Sequence, residues 1–229
     1  MDKKLYTGYI PPGRIFDSIY FAGIHSVLGR RTYKMKEEKI LFIGNSYTYY
    51  HDMPSRLFVS KAAEAGRSFE VYTVLKGGYK LSQYADPENP YGILLRETIE
   101  NQHFDYVVLQ DQSCNPIVDP ENFLHGVESL KELLSDYTGH FILYATWGRK
   151  EGSSELEQLQ ITSTEMTQKL AEAYDLAGKK FGMVVAHVGK AFAERRKNNP
   201  ISELYEADMS HPSLEGSTLA AETILAVLL

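Results

Sequence analysis

Two short stretches of this chain carry residue types that could do acyl-transfer chemistry together. Near the start, Gly44-Asn45-Ser46 closes a strand-like apolar run, and near the far end lies Asp208-Met209-Ser210-His211-Pro212. A serine hydroxyl is a poor nucleophile until a neighbouring base takes its proton. An Asp three residues before a His can fold its carboxylate back onto imidazole Nδ1, fix the tautomer and support the imidazolium during proton transfer. Ser46, His211 and Asp208 are therefore the candidate nucleophile, base and orienting acid of a hydrolase that attacks esters. Each stretch also has a plainer reading. Gly-Asn-Ser suits a turn and a helix cap, and Asp208 can cap a turn beside a surface His211. Only a fold that brings the two stretches together favours catalysis.

Further stretches supply candidate donors. Ser46 follows a strand and precedes a helix, so its own N–H can point at a developing oxyanion. Gly77-Gly78 ends a second strand-like run, where a glycine lets a backbone N–H approach a substrate oxygen; a simple turn would read the same. Gln110-Asp111-Gln112-Ser113 ends a third, and an amide side chain there could donate to an oxyanion or belong to an ordinary polar loop. Tyr47, Tyr49, Tyr50 and His51 follow the candidate nucleophile. Trp147 and Arg149 follow a fourth strand, and His187 follows a fifth. Tyr47 and Trp147 are candidate substrate contacts, because aromatic faces suit stacking on a sugar ring; core packing is the competing role. His187 reads as a loop residue rather than a second base.

The elements that must position these residues alternate from residue 39 onward. Short apolar runs at Lys39–Gly44, Phe69–Leu75, Asp105–Gln110, His140–Thr146 and Gly182–Ala186 read as buried strands. Helical spacing covers Pro54–Ala65, Tyr91–Asn101, Glu121–Asp136 (after the cap and first turn Asp119-Pro120), a long Ser153–Ala177 stopped by Gly178, and the apolar Ser213–Leu229. Five strands alternating with helices imply a parallel sheet covered on both faces. The expected architecture is a three-layer α/β/α sandwich, flavodoxin-like in outline. In such sheets ligands bind outside the carboxyl ends of the strands, and every candidate residue falls just after a strand or in the last loop.

Residues 1–38 do not join the alternation. Pro11-Pro12-Gly13 suits a turn and Ile15–Leu28 a short helix. The segment reads as an N-terminal extension to a domain spanning 39–229, packed on that domain or on a second subunit; a homodimer and a monomer both remain open.

Composition narrows the function class. The 229 residues are 43% hydrophobic and 24% charged, which suits one globular domain that buries its core without metals or disulfides. A net charge of −6 and a basic run no longer than Arg195-Arg196-Lys197 speak against nucleic acid as a partner. The single cysteine, Cys114, excludes an intramolecular disulfide and a thiolate metal cluster. No apolar run approaches the roughly 20 residues of a membrane span. The N-terminus lacks a basic segment followed by an apolar core, so no signal peptide is expected. The cytoplasm is the default location, with an earlier-removed leader left open.

Taken in order, these pieces resemble the SGNH/GDSL hydrolase superfamily. Ile40–Ser46 is similar to its first block, with Gly-Asn-Ser where Gly-Asp-Ser is commonest. Gly78 matches the second-block glycine, and Asp208 to Pro212 matches the fifth block. The third block departs from the usual Gly-x-Asn-Asp: ungapped alignment sets Gln112 at the Gly and Cys114 at the Asn. Leu109-Gln110-Asp111-Gln112-Ser113 instead resembles the Gln-led third block of some carbohydrate-esterase branches.

The resemblance implies a catalytic triad of Ser46, His211 and Asp208, and an oxyanion hole of the Ser46 and Gly78 N–H groups with the Gln110 amide, Gln112 standing second. It implies an acyl-enzyme, no cofactor and no metal, and a small-molecule or carbohydrate ester, such as an acetyl ester, as substrate. Two other readings stay open: a non-catalytic α/β binding module that kept the fold, and an acyltransferase using the same triad.

Overall fold

The structure is a computed structural model that describes residues 37–228. The expected extension over residues 1–38 lies outside the described residues, except that Glu37 and Glu38 already open the first strand.

Five strands form one parallel sheet: β1 (Glu37–Gly44), β2 (Ser68–Leu75), β3 (Tyr106–Leu109), β4 (Phe141–Ala145) and β5 (Val184–His187), in the order β2-β1-β3-β4-β5. The α/β sandwich expected from the alternation is therefore present. The register pairs Gly44 with Leu75, Ile43 with Leu109, Leu109 with Leu143 and Ala145 with His187, so the strands end together. The order reverses between β1 and β3, which opens a crevice at their carboxyl ends.

The continuous apolar run of β1 follows from burial on both faces. Ile40 and Phe42 face one core with Phe58, Phe192, Leu219 and Ile224. Leu41 and Ile43 face the other with Leu81, Leu95, Phe123, Leu130 and Tyr174. Successive residues of a strand point to opposite faces, so a strand between two helical layers has no polar side.

The helices are α1 (Ser46–Tyr49), α2 (Val59–Glu64), α3 (Leu81–Ala85), α4 (Pro90–Ile99), α5 (Asn115–Val118), α6 (Pro120–Leu134), α7 (Ser154–Leu159), α8 (Ser163–Phe181), α9 (Val188–Asn198) and α10 (Leu214–Ala226). Asp119 caps α6 by accepting from the Asn122 N–H at 3.2 Å, and Ser213 caps α10 by accepting from the Gly216 N–H at 3.1 Å.

Two expected helices differ. The run over Pro54–Ala65 begins as a π-helical stretch, Met53–Phe58, before tightening into α2. The long helix over Ser153–Ala177 is two. Gln160 turns left-handed after α7, and Thr162 with Glu165 forms a reciprocal cap that starts α8 afresh. Gly178 does not stop α8: it lies inside it, where a Cβ would come within 2.7 Å of Val185 on β5, and Gly182 ends the helix instead.

Candidate active site

The crevice between β1 and β3 holds a cavity of about 380 Å³. Ser46 enters it from the first turn of α1. Asn45 precedes it in extended conformation and caps the helix, its Oδ1 accepting from the Tyr47 N–H at 3.2 Å. The plainer reading of Gly44-Asn45-Ser46 as a turn and cap thus holds for Asn45 and leaves the Ser46 hydroxyl available.

His211 reaches Ser46 from the loop before α10. Its Nε2 lies 2.8 Å from Ser46 Oγ, and its Nδ1 lies 2.5 Å from Asp208 Oδ2. The other carboxylate oxygen, Oδ1, accepts from the Ser210 and His211 N–H groups at 3.0 and 2.9 Å. Met209 takes a left-handed φ of 61° to let the chain fold back in this way. Desolvation pushes the Asp208 carboxyl up, but the His211 hydrogen bond and the two backbone N–H groups outweigh it and hold the carboxyl below its usual range. An ionised Asp208 favours the imidazole tautomer with the proton on Nδ1, which leaves Nε2 to accept from the Ser46 hydroxyl.

Gly78 lines the cavity with a φ of +76° and open space where a Cβ would stand. Glycine is required there by the backbone conformation rather than by crowding. Gly44 shows the opposite case, since a Cβ on it would come within 2.8 Å of both Gln110 Oε1 and Thr48 Oγ1.

The two glutamines have different positions from those expected. Gln110 has 0% exposure and does not line the cavity. Its Oε1 accepts from the Asn45 N–H and from Thr48 Oγ1, both at 2.9 Å, and its Nε2 donates to the Asp111 carbonyl. Gln110 therefore braces the Ser46 turn from beneath, and its amide is committed away from any oxyanion. Gln112 does line the cavity. Its Oε1 accepts from the Cys114 and Asn115 N–H groups at 2.8 and 2.9 Å, while Nε2 has only a 3.4 Å contact to Ser113 Oγ. Of the two amides, only that of Gln112 lines the cavity.

Trp147 also departs from its expected role as a substrate contact. It is 1% exposed, stacked between Tyr47 and Phe192 with centroids 4.5 and 4.2 Å away. Its Nε1 donates to the Ser210 carbonyl at 3.0 Å, so it fastens the His211 loop from behind. Tyr47 lines the cavity but is largely buried, with its hydroxyl 3.0 Å from Ser210 Oγ. Desolvation raises its phenol above the usual range against the pull of Arg149, so it stays neutral. Of the other aromatics, Tyr50 stacks on the His211 imidazole at 4.3 Å and 7°. His51 sits at 3.0 Å from Glu206 Oε1. His187 pairs with Asp175 at 2.9 Å and is not part of the cavity.

Asp111 was not singled out by the sequence. It is fully buried behind the donor loops, with Oδ1 accepting from the Leu81 and Gln112 N–H groups at 2.9 and 2.7 Å and Oδ2 from Asn115 Nδ2 at 2.8 Å. It ties the chain after Gly78 to Gln112. Desolvation raises its carboxyl to about 6 against these hydrogen bonds. A polar residue inside a buried strand exit was the available signal. Among the described residues no group of three or more His, Cys, Asp or Glu could hold a metal ion, and no helix is long and apolar enough to cross a membrane.

No family model and no curated protein matches the chain. Solved structures do. A candidate SGNH hydrolase from Slackia heliotrinireducens is 29% identical, with a TM-score of 0.73 over 85% of this chain and 100% of that one. A DUF4886 family protein from Bacteroides uniformis is 15% identical, with a TM-score of 0.69 over 84% and 83%. An acetylxylan esterase from Geobacillus stearothermophilus is 16% identical, with a TM-score of 0.60 over 84% and 94%; at that identity the likeness is one of fold.

Proposed function

The chain falls within the SGNH/GDSL-like hydrolase superfamily, and from that premise we propose that it is a serine esterase removing small acyl groups, such as acetyl, from a carbohydrate. The observation that carries this reading is the unbroken hydrogen-bond chain from Ser46 Oγ through His211 to Asp208. Ser46 Oγ attacks the ester carbonyl carbon while His211 Nε2 takes the hydroxyl proton. Asp208 keeps the imidazole oriented and stabilises the imidazolium. The Ser46 and Gly78 N–H groups and Gln112 Nε2 donate to the oxyanion. As the adduct collapses, Nε2 returns its proton to the leaving alkoxide, the alcohol departs and the acyl group stays on Ser46. Water then attacks the acyl-enzyme, with His211 as base, and the acid is released.

The cavity, at the small end of the roughly 300–1,000 Å³ usual for ligand sites, supports a short acyl group. The carbohydrate preference is supported by the tyrosines along its lining, Tyr49 and Tyr50, and by a fold neighbour that is an acetylxylan esterase. Hydrolysis of p-nitrophenyl acetate, abolished in Ser46→Ala, and covalent labelling of Ser46 by an organophosphonate are the expected results. Absence of both would sink the esterase reading. Acyl transfer to an added sugar that outpaces hydrolysis would assign a transferase instead.

A further inference from the structure

The wall of the cavity has an uneven charge. Ser46, Tyr47, Gln112, Ser113, Ser210 and His211 contribute neutral or basic groups, Arg149 contributes a guanidinium, and no carboxylate lines the space. Arg149 is only 8% exposed. Its Nη2 donates to Ser113 Oγ at 2.9 Å, the guanidinium lies 5.5 Å from the Tyr47 ring centroid, and its buried Nε has no hydrogen-bond partner. The Glu155 carboxylate stands 3.9 Å from Nη2, beyond hydrogen-bond distance, and is itself half-exposed. The Tyr47 phenol is kept neutral by burial and supplies no counter-charge.

A buried cation without a hydrogen-bonded anion is costly. Holding Ser113 does not need that cost, because a neutral amide would donate to Ser113 Oγ equally well. What a guanidinium adds is a permanent charge and a planar fork that matches a carboxylate. The chain as a whole is acidic, at −6, so attraction of an anion must be local to this cavity.

We propose that the substrate is an ester bearing a carboxylate, which docks on Arg149 while the ester carbonyl lies at Ser46. This rests on the esterase reading and adds the charge class of its substrate. The carboxylate can stand on the alcohol side, as in an acetylated uronic acid, or on the acyl side, as in the hemiester of a dicarboxylic acid. The recognition chemistry is the same.

Two size-matched pairs of esters test the proposal: O-acetyl glucuronic acid against O-acetyl glucose, and p-nitrophenyl hemisuccinate against p-nitrophenyl butyrate. The charged member of one pair is expected to have a kcat/KM higher by on the order of tenfold or more, as one charge-assisted hydrogen-bonded contact would give. The responding pair tells which side carries the carboxylate. That ratio should collapse in Arg149→Met and be partly retained in Arg149→Lys. No preference in either pair, or a preference that survives Arg149→Met, overturns the proposal.

A second measurement is independent of turnover and of the variants' folding. Trp147, the sole tryptophan, stacks on Tyr47 beneath the guanidinium, so its fluorescence in the wild-type chain reports binding there. Glucuronate or succinate should give a saturable change where glucose gives none. Absence of a response to both carboxylates overturns the proposal even in an active esterase. A carboxylate response in a chain that hydrolyses no ester and is not labelled at Ser46 would sink the esterase reading and leave the anion site standing.

Discussion

The Ser46 side and the His211 side of the cavity are held in different ways. Ser46, Gly78 and Gln112 sit just beyond the ends of β1, β2 and β3, and a buried polar web joins those ends. Gln110 receives Asn45 and Thr48, Asp111 receives Leu81, Gln112 and Asn115, and Tyr84 donates to the Gly44 carbonyl at 2.5 Å. Asp208 and His211 lie instead in a surface loop, the Asp208 side chain 47% exposed. That loop is fastened by side chains around it: Trp147 on the Ser210 carbonyl, Tyr47 on Ser210 Oγ, and Tyr50 across the imidazole. One half of the constellation is thus an extension of the sheet, and the other is a local hairpin held by the aromatic side chains packed against it. Damage to the first half should cost stability along with activity. Damage to the second should cost activity alone.

Asp208→Asn sets up the sharpest contrast. It keeps the shape of the loop but favours the wrong imidazole tautomer, so kcat should fall by about 10⁴. The melting temperature should barely move, because the carboxylate is exposed and its hydrogen bonds are screened by solvent. A large loss of stability would show that the loop is as integral as the sheet and would break the comparison.

The two glutamines divide the sheet side. Gln112→Ala removes a cavity-lining donor and should lower kcat by about 10²–10³. Gln110→Ala removes no cavity group but leaves the Asn45 N–H and the Thr48 hydroxyl without their acceptor. It should destabilise the fold by about 1–3 kcal/mol for each orphaned group, seen in chemical denaturation. If Gln110→Ala instead costs kcat with unchanged stability, the assignment of the two residues is reversed.

A further effect concerns pH. Burial lifts the Asp111 carboxyl from 3.8 to about 6, so between those values the folded chain holds a proton that the unfolded chain has released. Stability from this group therefore rises as pH falls from 7 through 6 and levels off below about 4. A shift of two units amounts to on the order of 3 kcal/mol. Asp111→Asn removes that dependence. The melting temperature of the wild type relative to the variant should climb as pH is lowered across this window; a flat difference would show Asp111 ionised throughout.

Much of this arrangement could be read before the structure. Apolar runs with no polar face announced strands buried on both sides, and their alternation with helical spacing announced the parallel sheet. The breaks were harder. The restart at Thr162 depends on a capping box whose parts also suit a helix interior, and Gly178 looked like a stop because glycine serves both as a terminator and as room for a close neighbour. Gln110 and Gln112 were inseparable by sequence, since both have the same parity along the exit from β3. Only the turn after Leu109, which buries one amide under Ser46 and leaves the other at the cavity, distinguishes them. Trp147 is held away from the cavity because it stacks between Tyr47 and Phe192, while Tyr47 keeps a place in the lining.

By itself, then, the sequence determined the strand ends that carry Ser46, Gly78 and the glutamines, and the close spacing that lets Asp208 fold onto His211. Both are local: hydrophobic period and short loops act within a few residues. The tertiary structure decided that His211 Nε2 meets Ser46 Oγ, which glutamine faces the cavity, and that a guanidinium but no carboxylate lines it. Those outcomes depend on strand order, register and the packing of aromatic rings between distant segments, and no spacing along the chain encodes them directly.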